Sequence, residues 1–458
     1  MPAGSSNRFT DGRVPDHGIG DLFTYEARLQ ARLDVEAALA EAEAAVKVIP
    51  AEAGEAIAEA ADLGKLDMDR IEKATAEHSH PLTPLVEELC RVVGAKHGGW
   101  VHWGATTQNI TQTADLILLR QAHDKILDLL GDLLRSLSKV AEAGAEVPMP
   151  GRTHSQHAVP ITFGFKVAIW IDEIAAHVDR LRSVEDRVFR LLMGGAAGTM
   201  ASFGSHARAI ETETASRLDM GSMPVPSRAI NDGMVEWVSI LGMLGGTAGK
   251  IGKDVYSMMQ PEFGEAFEPI PEGTIGSSTM PHKRNPQLTL DVITAATQLR
   301  GLVAPAMESM LHDHEANGAM TGILEDAVAQ ASRLAGDVLA RLVVIFTGLT
   351  FDEERMRANL ALSGGLIGSE SLMLELGERI GRQVAHDVVF ELAQRSAVDD
   401  IDFASLLADS PEVSEHFTRS EIADLLDPCR HLGESANIAR AMAEHARRVA
   451  DDIQIPAV

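Results

Sequence analysis

The chain has 458 residues, 45% of them hydrophobic and 23% charged, which is enough to bury a large core in a soluble globular protein. Lys and Arg total 40 against 67 Asp and Glu, giving a formal net charge of −27, so we expect no nucleic-acid partner. The two cysteines, Cys90 and Cys429, are too few for a disulfide framework and fit a reducing cytoplasm. Neither a signal-peptide pattern nor an apolar run of about 18 residues is present, so we predict neither secretion nor a membrane span.

The N-terminal part of the chain is rich in Ala, Leu and Glu, as in the run EAALAEAEAAV, and strand signals are scarce throughout. This composition predicts compact helices between Leu22 and Cys90. We therefore predict an all-α protein whose first domain, residues 1–110, is a small helical domain.

Apolar residues then follow at alternating steps of four and three, from Ile126 to Val140 and again from Ile171 to Leu192. This spacing is typical of long helices that pack in a bundle. Further helical patterns cover residues 227–260, 286–312 and 321–350. Rods of about 50 Å expose apolar sides beyond the needs of one subunit, so we predict self-association. The central long-helix bundle is placed at 111–350 and a smaller helical C-terminal domain at 351–458.

Four polar, glycine-bearing segments lie at the ends of the predicted long helices, where loops can gather functional groups. The first, 104–113, reads GATTQNITQT and is either a helix cap or a cradle for a carboxylate. The second, 151–157, reads GRTHSQH, and its His154 lies in a predicted loop where an imidazole can serve as a general acid.

The third segment, GGAAG at 194–198, predicts a turn with close packing, since no P-loop Lys supports phosphate binding. The fourth, 276–286, reads GSSTMPHKRNP and follows a Gly- and Pro-rich stretch without helical periodicity. We therefore predict a mobile loop there. Its two serines beside Lys283, Arg284 and Asn285 suit a bound anion next to a nucleophile or base.

The runs GSSTMPHKRNP, GRTHSQHAVPITFG and GATTQNITQTA together resemble the fumarase/aspartase superfamily. The start LQARLDVEAALAEAEAAVKVIP and the tail RMRANLALSGGLIGSESLMLELGERIGR resemble its adenylosuccinate lyase and 3-carboxy-cis,cis-muconate cycloisomerase branch. The resemblance implies a homotetramer with a twenty-helix core and active sites built from three subunits each. It also implies removal of a proton beside a succinyl carboxylate and expulsion of a β-substituent to give fumarate, with no metal or organic cofactor.

By match to these motifs, Ser277 takes the position of the base and His154 the position that protonates the leaving group. Removal of the proton produces a dianion, which Lys283 and a set of neutral donors can stabilise electrostatically. The remaining residues that we expect to bind substrate are His80, Thr106, Thr107, Gln108, Thr153, Gln156, Ser278, Met280, Arg284 and Asn285.

The chain also departs from its relatives. Residues 78–82 read HSHPL, without the Asp of adenylosuccinate lyases, and the N-terminal Arg-Tyr pair is absent, which argues against a purine nucleotide substrate. Leu290 stands where many lyases carry a Glu partnering the histidine, and Asn109 stands where an Asp is common. We predict a cytoplasmic lyase that cleaves a C–N bond in a small substituted succinate. A carboxymuconate cycloisomerase and a non-catalytic structural homologue remain the alternatives.

Overall fold

The computed structural model of the protein describes residues 8–15 and 17–453, and within them the predicted all-α fold is confirmed. The described parts of Met1–Leu129, His177–Gly249 and Val292–Ala340 form a first compact unit. Leu130–Ala176, Lys250–Asp291 and the described part of Arg341–Val458 form a second. The three-part division along the chain stays a prediction, and its first seven and last five residues lie outside the described ones.

The α-helices of the described residues follow one another along most of the chain. They are α1 (Tyr25–Ala45), α2 (Ala51–Ala60), α3 (Met68–His78), α4 (Thr83–Val93), α5 (Thr107–Ala143), α6 (Phe163–Val188), α7 (Ala207–Arg217), α8 (Asp232–Met258), α9 (Gln287–Gly301), α10 (Val303–Glu308), α11 (Gly318–Gly348), α12 (Glu353–Ala361), α13 (Ser369–Ile380), α14 (Arg382–Asp399), α15 (Phe403–Asp409), α16 (Pro411–Ser414), α17 (Arg419–Leu425) and α18 (Ser435–Ile453). Within the described residues, no helix is long and apolar enough to cross a membrane.

Short strands and single 3₁₀ turns complete the described secondary structure. The strands are β1 (Pro148–Thr153), β2 (Gln156–Thr162), β3 (Arg190–Leu191), β4 (Gly221–Ser222), β5 (Ala266–Phe267) and β6 (Thr350–Phe351). β1 pairs antiparallel with β2, β3 parallel with β4, and β5 antiparallel with β6. The 3₁₀ turns cover Asp21–Phe23, Leu63–Lys65, Gly98–Trp100, Ala201–His206, Leu366–Gly368 and Pro428–Arg430.

The apolar spacing that predicted the long helices corresponds to their buried faces. In α5, Leu130, Leu133 and Leu137 are fully buried, and in α6 Ile171 and Ile174 are as well. A row of this kind buries a continuous stripe along each helix, which is the main source of stability for rods of this length.

One predicted helix is shorter than expected. The pattern over 286–312 predicted a single helix, but α9 ends at Gly301 and α10 covers only Val303–Glu308. Pro305 accounts for the break, because a proline has no N–H to donate to the carbonyl four residues earlier and its ring crowds that carbonyl.

The C-terminal part of the second unit has a core of its own. Leu372 and Leu376 of α13 pack with residues of α14 and α15, among them Phe403 and Leu407, all of them fully buried. Thr418 starts α17 with a reciprocal capping box to Glu421, which satisfies two N–H groups at once.

Candidate active site

The first polar segment is fixed by one buried amide at the start of α5. The Oδ1 atom of Asn109 accepts the N–H of Thr106 at 3.1 Å, and the N–H of Asn109 returns a bond of 2.9 Å to the carbonyl of Thr106. The same Oδ1 accepts the N–H of Gly195 at 3.1 Å. Asn109 is completely buried, so its side chain ties the helix start to the glycine turn. These bonds are of the kind that caps a helix start, and the carboxylate cradle stays a prediction.

The glycine turn at 194–198 is a point of close packing. A Cβ on Gly194 would lie 1.9 Å from the carbonyl oxygen of Pro226, and Gly198 has a φ of +82°. Any side chain at position 194 would displace the chain near Pro226, which supports the packing interpretation of this turn.

Gln108, predicted to bind substrate, contacts a cation that the sequence motifs did not identify. The Nε atom of Arg228 donates to Oε1 of Gln108 at 2.7 Å, while Nε2 of Gln108 donates to Oε1 of Gln112 at 2.8 Å. Burial lowers the pKa of the Arg228 guanidinium, which nevertheless stays charged at neutral pH. The positive charge of Arg228 is thus held against Gln108, the residue after Thr107.

His80 and Thr107, two further predicted residues, lie side by side. Nδ1 of His80 accepts the N–H groups of Leu82 at 3.2 Å and Thr83 at 2.9 Å. The ring proton is therefore on Nε2, which lies 3.5 Å from Oγ1 of Thr107. A polar contact of this length is weak, so it leaves the hydroxyl able to bond elsewhere.

His312 is a second residue that sequence reasoning missed. Its Nδ1 accepts the N–H of Asn317 at 3.0 Å, and the buried amide of Asn231 lies 2.7 Å from its Nε2. Burial, aided by the charge of Arg228, lowers the pKa of His312. The ring therefore favours its neutral form close to Arg228.

The second polar segment is the tip of a β-hairpin, so His154 lies in a turn as predicted while the residues on either side of the turn belong to strands. Thr153 of β1 pairs with Gln156 of β2, leaving His154 and Ser155 as a two-residue turn. Both turn residues have left-handed backbone, with φ of +51° and +63°, as a type I′ turn requires. Thr153, His154 and Gln156 are all exposed. The hairpin presents three predicted residues at one end of a rigid element.

His157 sits behind the tip, opposite Arg152 in the hairpin register. Burial lowers its pKa, and the positive charge of Arg152 adds to that shift. The neutral imidazole is therefore favoured at this position near pH 7.

The fourth polar segment forms a closed loop around the hydroxyl of Ser277. Oγ of Ser277 accepts the N–H groups of Thr279 at 3.3 Å and Met280 at 3.1 Å. Nδ2 of Asn285 donates to the carbonyl of Gly276 at 2.6 Å and closes the loop. The other predicted residues of this loop have exposed side chains, namely Ser278, Met280, Lys283 and Arg284.

The base of this loop is buried even though its tip is exposed. The carboxylate of Glu268 accepts the N–H groups of Leu288 at 3.0 Å and Thr289 at 2.8 Å, and the hydroxyl of Thr289 at 2.6 Å. Burial raises the pKa of Glu268. Glu268 caps the start of α9 and so joins the chain before the loop to the chain after it.

The predicted residues thus fall into three local groups. In the first unit, Thr106, Thr107, Gln108 and His80 come together with Arg228. In the second unit, one turn holds Thr153, His154 and Gln156, and one loop holds Ser277, Ser278, Met280, Lys283, Arg284 and Asn285. Within the described part of the chain, no group of three or more His, Cys, Asp or Glu residues could hold a metal ion.

Comparison with known proteins shows which family the chain resembles over its length. Residues 14–301 match the family model described as Lyase, and residues 365–442 match the adenylosuccinate lyase C-terminus. An N-acetyl-S-(2-succino)cysteine lyase from Enterococcus italicus is 36% identical over 91% of each chain. A 3-carboxy-cis,cis-muconate cycloisomerase from Pseudomonas aeruginosa is 36% identical over 93% of each chain. The crystal structure of a fumarate lyase from Mesorhizobium sp. BNC1 superposes with a TM-score of 0.88 at 30% identity, covering 94% of this chain and 98% of that one.

Proposed function

Because the chain belongs to the lyase family of the fumarase/aspartase superfamily, we propose that it eliminates a nitrogen or sulfur substituent from a small succinate, with fumarate as product. The base removes the proton next to one carboxylate, and that carboxylate then carries two negative charges. The carbon–heteroatom bond breaks, its electron pair leaves with the heteroatom, and a proton from the acid neutralises the leaving group. Ser277 is the base and His154 the acid.

The observation that carries this proposal is the environment of the Ser277 hydroxyl. Two backbone N–H groups, of Thr279 and Met280, point at its oxygen at 3.3 and 3.1 Å. An unassisted serine is a poor base, whereas N–H dipoles fixed around the oxygen stabilise the alkoxide. Lys283 in the same loop supplies a cation for the dianion. Exclusion of water when substrate binds would strengthen both effects.

The group around α5 suits the carboxylates of the substrate. Thr106, Thr107 and Gln108 are neutral donors at a helix start, and Arg228 adds a fixed cation 2.7 Å from Gln108. Helix N-termini and guanidinium groups both favour bound carboxylates. This donor set supports a small dicarboxylate as the substrate class.

The leaving group predicted from the sequence alone is a nitrogen substituent. Leu290 occupies the position where many relatives have the Glu partner of the histidine, so acid assistance is weaker here. An ordinary thiol has a pKa of about 8.5, so sulfur can leave as the thiolate anion, whereas an amine nitrogen must carry an added proton before it leaves. That difference, and the name of the Enterococcus relative, bring a sulfur-linked succinate into the proposal beside the nitrogen-linked one.

The direct test is release of fumarate from purified protein. A thioether-linked and an amine-linked succinate are supplied in parallel, with the same preparation of Ser277→Ala as the control. Fumarate from either substrate, lost in the variant, supports the proposal and identifies the leaving atom. No fumarate from either substrate would overturn it.

A carboxymuconate cycloisomerase is the second candidate, favoured by the 36% identity to the enzyme from Pseudomonas aeruginosa. The same proton chemistry would then open or close a lactone and release no fumarate. Turnover of carboxymuconate without fumarate from any succinate would select this function. Binding of succinate analogues without turnover of any substrate would select a non-catalytic homologue instead.

We also propose that the protein is a homotetramer whose active sites are shared by three subunits. Large apolar side chains on the long helices support this assembly, because Ile169, Met243 and Tyr256 are between 39% and 49% exposed. Light scattering would measure the mass. Mixing Ser277→Ala with His154→Gln, each strongly impaired alone, under exchange conditions should raise the activity well above that of either variant, since some sites would then be intact. A monomer, or mixtures no more active than either variant, would contradict shared sites.

A further inference from the structure

The turn that carries His154 has an unfavourable backbone. Type I′ turns favour Asn-Gly, because both central residues need positive φ, yet here the pair is His154-Ser155. Residues with a Cβ adopt this conformation at a cost, and they persist in it where the surrounding structure holds them. Contacts beside the turn must therefore hold the hairpin in this conformation.

A nearly buried ion pair lies directly beside the tip. Nη1 of Arg152 donates to Oε2 of Glu265 at 2.9 Å, and Nη2 donates to Oε1 at 2.6 Å. Glu265 is completely buried, and the Arg152 side chain is 18% exposed. Nδ2 of Asn359 also donates to Oε1 of Glu265, at 2.8 Å. Two parallel bonds fix both the distance and the plane of the guanidinium group.

Glu265 is itself held at a fixed place in the second unit. Its N–H donates to the carbonyl of Met258 at 2.9 Å, and its carbonyl accepts the N–H of Asp352 at 3.0 Å. The next two residues form β5, which pairs with β6. Asn359 of α12 also donates to the carbonyl of Phe263 at 2.9 Å. The carboxylate is therefore a rigid anchor, and α12 packs on β1 of the hairpin.

Close packing fixes the hairpin next to the ion pair. A Cβ on Gly151 would lie 2.6 Å from the carbonyl oxygen of Val159, so the two strands approach closely there. The strand register shifts between Pro150 and Arg152. An irregularity of this kind bends the strand that carries Arg152 and can redirect its side chain.

We propose that Glu265, with Arg152 and Asn359, positions the hairpin tip so that His154 and Gln156 are held in the geometry that the elimination needs. Arg152 and Glu265 are positioning residues, since their polar groups are directed at each other and not at the tip. The kinetic part of this inference rests on the proposed function of His154. A misplacement of about 1 Å at a reacting group can cost about 10²-fold in rate.

The first test replaces the guanidinium fork and keeps the charge. Arg152→Lys retains a cation but not the two parallel bonds. We expect kcat to fall about tenfold or more, with KM changed by less than about threefold. The matched control is Arg187→Lys, because Arg187 also makes a bidentate pair with a glutamate, through Nε and Nη2 to Glu236 at 2.7 and 2.6 Å, on an exposed surface. A kcat for Arg152→Lys equal to that of Arg187→Lys would overturn the proposal.

The second test asks whether Arg152 acts through His154. Arg152→Lys is combined with His154→Gln, and kcat is compared with that of His154→Gln alone. The proposal predicts a smaller further loss than Arg152→Lys causes in the native background, because one of the two positioned groups, His154, is already absent while Gln156 remains. An equal fractional loss in both backgrounds would mean that Arg152 acts independently of His154, and would overturn it.

A third measurement needs no substrate and separates this inference from the proposed function. Hydrogen–deuterium exchange over residues 148–162 should be faster in Arg152→Lys than in the native protein, and unchanged in Arg187→Lys. If Arg152→Lys does not fold, Asn359→Ala takes its place, because it removes one of the three N–H donors to Glu265. Exchange over the hairpin should again be faster than in the native protein, by a smaller factor. Unchanged exchange in both variants would overturn the inference. Faster exchange in a protein without lyase activity would overturn only the proposed function.

Discussion

The start of α5 and the loop around Ser277 carry similar hydroxyl and amide side chains in opposite surroundings. Gln108 and Asn109 are 5% and 0% exposed, whereas Thr279 and Lys283 are exposed. Donors in a buried network are already oriented and act in a low dielectric, while exposed donors gain that strength only when water is excluded. We therefore expect a change in the buried α5 segment to affect stability as well as the proposed site, and a change in the exposed loop to affect the proposed site alone.

The largest expected effect that tests this contrast is the loss of the base. Ser277→Ala should lower kcat by about 10³-fold, within the range for a general base. The melting temperature should stay unchanged, because the bonds of Ser277 Oγ to described residues are to N–H groups of its own loop. Steady-state kinetics and calorimetry on one preparation check both parts. A fully active variant would remove the base assignment.

Removal of the loop cation should be nearly as costly. Lys283→Met should lower kcat by about 10²-fold, because the dianion loses its nearest proposed counter-charge. Lys73→Met on α3, another exposed lysine, is the matched control for the change in net charge. If the two variants have equal kcat, the role of Lys283 is wrong.

A change at the start of α5 should affect stability as well as binding. Asn109→Ala leaves the N–H groups of Thr106 and Gly195 without their acceptor, which we expect to lower the free energy of unfolding by about 2 kcal/mol. KM should rise as Thr106 and Thr107 lose their fixed positions. Asn109→Asp keeps the acceptor oxygen and is the comparison variant. If urea unfolding gives the same free energy of unfolding for Asn109→Ala and the native protein, the expected difference between the two segments is wrong.

The smallest expected effect concerns the hairpin, which combines an exposed tip with a partly buried His157. The folded-state pKa of His157 is lowered, so the unfolded chain binds the proton more readily. Its contribution to stability is therefore present above pH 6.5 and is lost as the pH falls toward the folded pKa. His157→Gln should make the unfolding free energy less dependent on pH between 7 and 5, by under about 1 kcal/mol. An unaltered pH dependence would contradict this assignment.

The long helices and the polar segments were predictable because their signals are local. Apolar spacing defines α5 and α6 wherever they pack, and the four segments are contiguous in sequence. The hairpin was missed because prolines at 148, 150 and 160 obscure the strand pattern, while its pairing depends on the turn at His154. Arg228, His312 and Glu265 belong to no motif, since their partners are distant in sequence and meet them only in the folded chain.

Gly276 has a consequence for any attempt to redesign the enzyme. A Cβ at this position would lie 2.0 Å from the carbonyl oxygen of Lys283, so the loop could not close over its own backbone. Combinatorial libraries aimed at new leaving groups should therefore keep glycine at 276 and randomise the exposed positions 279 and 280 instead. We expect variants with any other residue at position 276 to be inactive.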